Sequence, residues 1–258
     1  MRKAFLLGLI VGLGLVMVAA TLDFRHQRKT AEQTRAQEQL YQAEIGDATP
    51  VRTGVLDDRQ RLHSQIAENL RSGFARSILE TIAPYRGKRI VCGISIDVNL
   101  PLLSADTEPP ASYFRRLVQV SDAVIRGKVT NKVSNITEDE MFLFTDYDVQ
   151  VEEVFKDATN TVSQAGGTIT VTCAGGKVLI DDVIVTTSGN AVAMLPNDHE
   201  ILLFLTRIPG TSDFKLVRLD AAFDIDGQSA QSLAGRVPES YLREKPGFLE
   251  LVRTASRQ

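Results

Sequence analysis

Residues 166–176, GGTITVTCAGG, decide how this chain is read. Thr168, Thr170 and Thr172 alternate with Ile169, Val171 and Cys173, the period of two that sends neighbouring side chains to opposite faces of a strand. Glycine pairs punctuate both ends. Such a strand has one apolar face to bury, and Cys173 lies on it. That cysteine is a candidate nucleophile, half of a disulfide, or a core residue.

The texture extends in both directions. Upstream, DAVIRGKVTNKV (122–133) and MFLFTDYDVQVEEVF (141–155) read as strands, with Tyr147, Val149 and Val151 sharing one face of the second. Downstream, KVLIDDVIVTT (177–187) reads as a fourth strand, the fully apolar EILLFLTRI (200–208) as a central fifth, and FKLVRL (214–219) as a sixth, with AFDIDG (222–227) closing the run. Several short strands between turn signals predict a barrel or sandwich.

Helical spacing flanks this region. Leu62, Ile66, Leu70, Phe74, Ile78 and Ile82 recur at every fourth position, which predicts one amphipathic helix over 61–83, stopped by Pro84 and Gly87. RIVCGISIDVN (89–99) alternates as a half-buried strand with Cys92 on its apolar face. LPLLSADTEPPAS (100–112) reads as a proline-rich loop and YFRRLVQVS (113–121) as a short helical approach. Near the C-terminus, PESYLREKPGFLELVRTAS (238–256) suggests one or two short helices split at Pro246 and Gly247.

The N-terminus points to export. Arg2 and Lys3 precede 19 uncharged, mostly apolar residues at 4–22, barely enough for a membrane-spanning helix. The alternative is a signal peptide cleaved near Ala20. The next segment is rich in Gln, Glu, Arg and Ala and reads as a solvated stalk ending near Pro50. The expected organisation is therefore an anchor or signal peptide at 1–22, a polar stalk at 23–60, and an amphipathic helix, strand and loop at 61–121. An OB-like barrel of five or six strands at 122–228 follows, then C-terminal helices at 229–258. The class is mainly β with flanking helices (α+β).

The order SDAVIRGKV, DYDVQVEEVFKD, GGTITVTCAGG, HEILLFLTRI and FDIDG resembles a bacterial exported β-barrel domain related to the OB-fold barrels of netrin modules and tissue inhibitors of metalloproteinases. The likeness covers about residues 121–228, and includes Gly127–Lys128 after the first strand and Phe155–Lys156 after the second. It implies a fold more than an activity. The metalloproteinase inhibitors use a cysteine at the mature N-terminus. This chain begins at Met1 or, after cleavage, at Thr21, so no inhibitory residue is carried over.

Chemical constellations are sparse. The exported barrel with TVTC ending a strand also looks like a sortase, a cysteine transpeptidase in which Cys173 would need a neighbouring histidine and arginine. No histidine lies between His63 and His199, and no arginine between Cys173 and Arg207, so this enzyme reading is disfavoured. Cysteines on apolar strand faces are buried and inert as a rule. A Cys92–Cys173 disulfide would close a loop of roughly 80 residues, worth about 4.5 kcal/mol by chain entropy; two unpaired core thiols fit equally well. His26, His63 and His199 have no metal-ligand spacing. AFDIDGQSAQSL places Asp224, Asp226 and Gly227 as in a calcium loop but has Ala222 and Leu233 where acids are required, so a turn is the better reading.

A net charge of −3, no tryptophan and 6% aromatics exclude a nucleic-acid platform. No catalytic, metal or cofactor residue is assigned. The function expected is a non-enzymatic exported or membrane-tethered binding or scaffolding module at the cell envelope. It is attached through residues 4–22 at the cell membrane, or secreted or periplasmic after cleavage, with an envelope protein or surface ligand as partner. A protease inhibitor acting through a loop such as NKVSNITEDE (131–140) is the remaining alternative.

Overall fold

The structure is a computed structural model describing residues 32–51, 56–70, 76–95, 109–162, 165–188, 194–218, 220–234, 237, 241–242 and 244–257. Five strands form its centre: β3 (Ala123–Ile136), β4 (Leu143–Asp157), β5 (Thr168–Ala174), β8 (Glu200–Arg207) and β9 (Phe214–Leu216). They pair in the order β8-β3-β4-β5-β9, and an added β8–β9 pairing closes the ring. Every pairing in it is antiparallel except β5 with β9. Two short strands, β10 (Ala222–Asp224) and β11 (Gln231–Ser232), extend the sheet beyond β8. The barrel is thus OB-like and closed with five strands.

Alternation fills it. Tyr147, Val149 and Val151 of β4, Ile169, Val171 and Cys173 of β5, and Ile201, Leu203 and Leu205 of β8 point inward into one buried cluster. β3 runs past three register shifts, which let so long a strand bend around the barrel. At one of them a side chain on Gly127 would meet the Gln150 carbonyl oxygen at 2.4 Å, so only glycine permits the close approach.

The opposite face of β8 carries a second core. Helices α4 (Pro110–Val120) and α5 (Lys245–Ser256) cover it, and Phe114, Phe204, Phe223 and Phe248 interlock there. The Phe114 and Phe248 rings meet edge to face at 5.2 Å. Pro246 and Gly247 do not split the C-terminal helix. They sit in its first turn, where proline's missing N–H costs no intrahelical bond.

KVLIDDVIVTT is not a barrel strand. It forms a hairpin of β6 (Lys177–Ile180) and β7 (Val183–Ser188), turning through Asp181 and Asp182, both at positive φ. This hairpin belongs to a separate four-stranded sheet with β1 (Thr49–Pro50) and β2 (Ile90–Ser95) in the order β1-β6-β7-β2. A polar junction ties the two sheets together. Thr145 Oγ1 donates to Gly175 O (2.7 Å), and the Gly176 N–H donates to Thr187 Oγ1 (2.8 Å). The chain passes so closely here that a side chain on Gly176, at φ 158°, would meet Thr145 Oγ1 at 2.3 Å.

The helical stripe resolves differently from its expected form. A helix α2 (Asp58–Leu70) and a separate short helix α3 (Ile78–Ile82) replace one continuous helix over 61–83, with 71–75 outside the described residues. Asp57 and Gln60 start α2 as a reciprocal cap: the Gln60 N–H donates to Asp57 Oδ1 at 2.8 Å and the Asp57 N–H to Gln60 Oε1 at 3.1 Å. Residues 32–45 also form a helix, α1, which is docked and not a free stalk: its Tyr41 is buried.

No helix among the described residues is long and apolar enough to cross a membrane. A span needs about 20 consecutive apolar residues, and α1 is shorter and rich in Glu and Gln. The expected architecture of a chain led by a membrane segment is corrected to this extent: the described residues contain no such segment, and they give no support to the single-pass topology, the membrane partner or the cell-membrane localisation expected from it. Residues 4–22 themselves lie outside the described residues.

Candidate functional site

Positions 59 and 63 are one helical turn apart and share a face of α2. That face, and not the Leu62–Ile66 stripe, is the one most deeply buried. His63, Ser64 and Ala67 are buried, whereas Leu62 and Ile66 are half-buried. The small Ala67 lets the helix approach, and Ser64 Oγ accepts from the Glu138 N–H at 2.7 Å, pinning α2 to the β3–β4 turn.

His63, fully buried, lies over the outer face of β4 and β5. Its Nδ1 is 2.9 Å from Asp146 Oδ1, which also accepts from Thr172 Oγ1 at 2.7 Å. Its Nε2 is 3.2 Å from Asp213 Oδ2 without the alignment of a hydrogen bond. The Asp213 carboxylate is held instead by Arg59, whose Nε and Nη2 donate to its two oxygens at 2.6 and 2.9 Å. This bidentate fork raises the already high affinity of the guanidinium for its proton, against the opposing effect of burial. A ring bearing both protons offers a donor to each carboxylate, and a neutral ring to only one. Either way the set Arg59, His63, Asp146, Thr172 and Asp213 fastens the helix to the barrel.

A groove of about 530 Å³ opens beside this cluster, lined by Arg59, Thr161, Thr168, Ile169, Thr170, Thr211, Ser212 and Asp213. Its lining is dominated by hydroxyls. One side is β5, the other the loop joining β8 to β9. The backbone explains why it exists: β5 pairs with β4 from Thr168 to Ala174, but with β9 only at Val171 and Thr172. Along Thr168–Thr170, therefore, no described strand pairs with the edge of β5 that faces β9. Asp148, on the adjacent strand, accepts from Thr170 Oγ1 at 3.3 Å and from Asn131 Nδ2 at 3.0 Å.

The residues singled out in the sequence fall elsewhere. Cys173 is next to Thr172 in sequence and so points the opposite way, into the barrel, where it is 5% exposed. Burial raises its thiol far above the ordinary range, with the Asp146 charge adding to the effect. His63 and Cys173 thus occupy opposite faces of the same sheet, and no thiolate–imidazole pair forms. Cys92 is half-buried in the core of the small sheet, and both cysteines are free thiols. His199 Nδ1 pairs with Asp224 Oδ2 at 2.8 Å at the surface, and the Asp226 N–H donates to Asp224 Oδ1 at 3.0 Å, as in a turn. Among the described residues no group of His, Cys, Asp or Glu is arranged to hold a metal ion.

The sequence reading missed Arg59, Asp146 and Asp213 and gave His63 no role. Two signals were present: a polar i, i+4 pair at the start of an amphipathic helix, and aspartates alternating with core residues along β4. Their meeting with Asp213 depends on a contact across some 150 residues and has no local trace. No protein-family model and no curated protein matches the chain; the closed five-stranded barrel supports an OB-like fold in general and no specific relation to netrin modules or metalloproteinase inhibitors.

Proposed function

We propose that the chain is a non-enzymatic binding module that holds a polar ligand in the groove between β5 and the β8–β9 loop. The observation that carries this reading is the groove's position. OB barrels bind ligands across their second and third strands and the loop joining the fourth to the fifth. In the ring described above, those are β4, β5 and the 208–213 loop; the groove takes β5 and that loop, while α2 covers the neighbouring β4–β5 face through His63 and Asp146. The volume falls within the range of ligand sites, and the hydroxyl lining suits a hydrogen-bonding partner. The buried Cys173 supports the absence of cysteine chemistry.

Titration of the isotope-labelled chain with short peptides and with oligosaccharides tests the reading. Amide shifts confined to Thr168–Thr170 and Thr211–Asp213 are expected for at least one class. No shift at millimolar ligand, or shifts only elsewhere, would overturn it.

A second reading, inhibition of a protease through the β3–β4 turn, draws on how rigidly that turn is held. Thr137 Oγ1 donates to Asp139 Oδ1 at 2.7 Å, and the Ile78 N–H donates to Glu140 O at 2.8 Å. A preformed loop loses little entropy on docking. Because its backbone is engaged, recognition would fall to the exposed Glu138 and Glu140, and failure to slow any member of a protease panel would count against it.

A further inference from the structure

We infer that the ligand of this groove is an extended peptide that adds as a strand to the edge of β5 at Thr168–Thr170, with a basic side chain directed toward Asp148. The inference rests on the groove reading above and names the ligand's class.

Three features support it. First, the barrel closes between β5 and β9 through only Val171 and Thr172, so over Thr168–Thr170 β5 pairs, among the described residues, with β4 alone. Backbone N–H and C=O groups on such an edge are a template for another strand. Three residues at about 3.3 Å each give room for roughly three or four residues of peptide.

Second, the edge offers two chemically different faces. Ile169 turns inward, with half-buried Val162 packed on the same core, while Thr168 and Thr170 turn outward. A strand lying beside them alternates in the same way, apolar inward and polar outward. A glucose oligosaccharide has hydroxyls but no row of amide N–H and C=O groups to pair with such an edge.

Third, the charge beside the outward row is negative. Asp148 lies opposite Thr170 on β4, and its hydrogen-bond partners, Asn131 and Thr170, are neutral; Arg59 acts on it through space only, because its guanidinium is bonded to Asp213. Asp213 is already matched by Arg59, and Lys215 lies at the closed end, opposite Thr172. From a strand added outside β5, Asp148 is two strand spacings away, about 10 Å, which a lysine or arginine side chain and a carboxylate span together.

The test uses the full chain and the capped hexapeptide TVRVTV, with three companions. These are the same peptide N-methylated at the residues whose amides face β5, the same peptide with citrulline for arginine, and a linear glucose hexasaccharide. Binding of TVRVTV with shifts at Thr168–Thr170 is expected, weakened about tenfold by N-methylation as backbone hydrogen bonds are lost. Citrulline should weaken it about fivefold, and Asp148→Asn, at a partly exposed position, should abolish that difference.

Equal binding of the N-methylated peptide would overturn strand addition. Equal binding of the citrulline peptide to the unaltered chain would overturn the role of Asp148. Groove shifts with the saccharide and none with any peptide would overturn the peptide inference while leaving the groove as the binding site. Silence from all four probes at the groove would remove both readings.

Discussion

At Cys173 solvent access decides the chemistry. A thiol enclosed by Tyr147, Val171 and the rest of the barrel interior neither ionises readily nor meets a reagent. Native protein treated with a thiol reagent at neutral pH should therefore leave Cys173 unmodified, and mass mapping should find it labelled only after unfolding. Rapid native labelling that Cys173→Ser removes would contradict the burial. His63 presents the converse case, a polar group kept in the interior by charged partners. Its replacement by alanine leaves Asp146 and Asp213 facing a void, and the expected loss is about 3 kcal/mol in denaturant unfolding. A loss below about 0.5 kcal/mol would mean that the cluster contributes nothing to docking α2.

Among the elements, α1 has the most conditional attachment. Lys177 pairs with Glu44 and, at 2.9 Å, with Asp47, while Lys132 also pairs with Asp47. Burial alone would push the Asp47 carboxyl up, but the two lysines outweigh it and hold the group below its ordinary value of 3.8. A carboxyl depressed in the folded state contributes stability that is present above its unfolded pKa and lost as pH falls through the folded one. Hydrogen exchange across residues 32–45 should therefore accelerate below pH 3.8, and Asp47→Asn should produce the same loosening at neutral pH. Protection of 32–45 that is unchanged in both cases would show that the Asp47 pairs do not hold the helix. The β6–β7 hairpin teaches a different lesson about elements. Its strand pattern was legible, but no local pattern says which sheet a strand will join.

For the molecule as a whole, the weak seam is the closure of the barrel. β9 contributes three residues and binds β5 through two pairs, so the ring depends on what Phe214 packs beneath it. Phe214→Ala removes a fully buried ring at that seam and should cost about 3–5 kcal/mol in thermal or denaturant unfolding. It should also loosen amide protection in β5 and β9 before β3 and β4. Uniform loss of protection would show that the barrel opens only as a unit.

Apart from KVLIDDVIVTT, the barrel strands and the inward faces of β4 and β5 were legible because alternation is a local property of neighbouring residues, whereas the helical stripe over 61–83 foretold neither two helices nor the face that α2 buries. Gly127 and Gly176 were legible as glycines but not as close contacts, since the Gln150 carbonyl and the Thr145 hydroxyl reach them only in the folded chain. By itself the sequence determined an OB-like β-barrel with Cys173 on its apolar side. Tertiary structure alone decided that Arg59, His63, Asp146 and Asp213 meet, that α2 buries its polar face, and that no described strand pairs with the β9-facing edge of β5 at Thr168–Thr170 beside the groove. The physical reason is that burial patterns constrain which face of each element turns inward, whereas ion pairs and strand edges depend on which distant elements come to lie side by side.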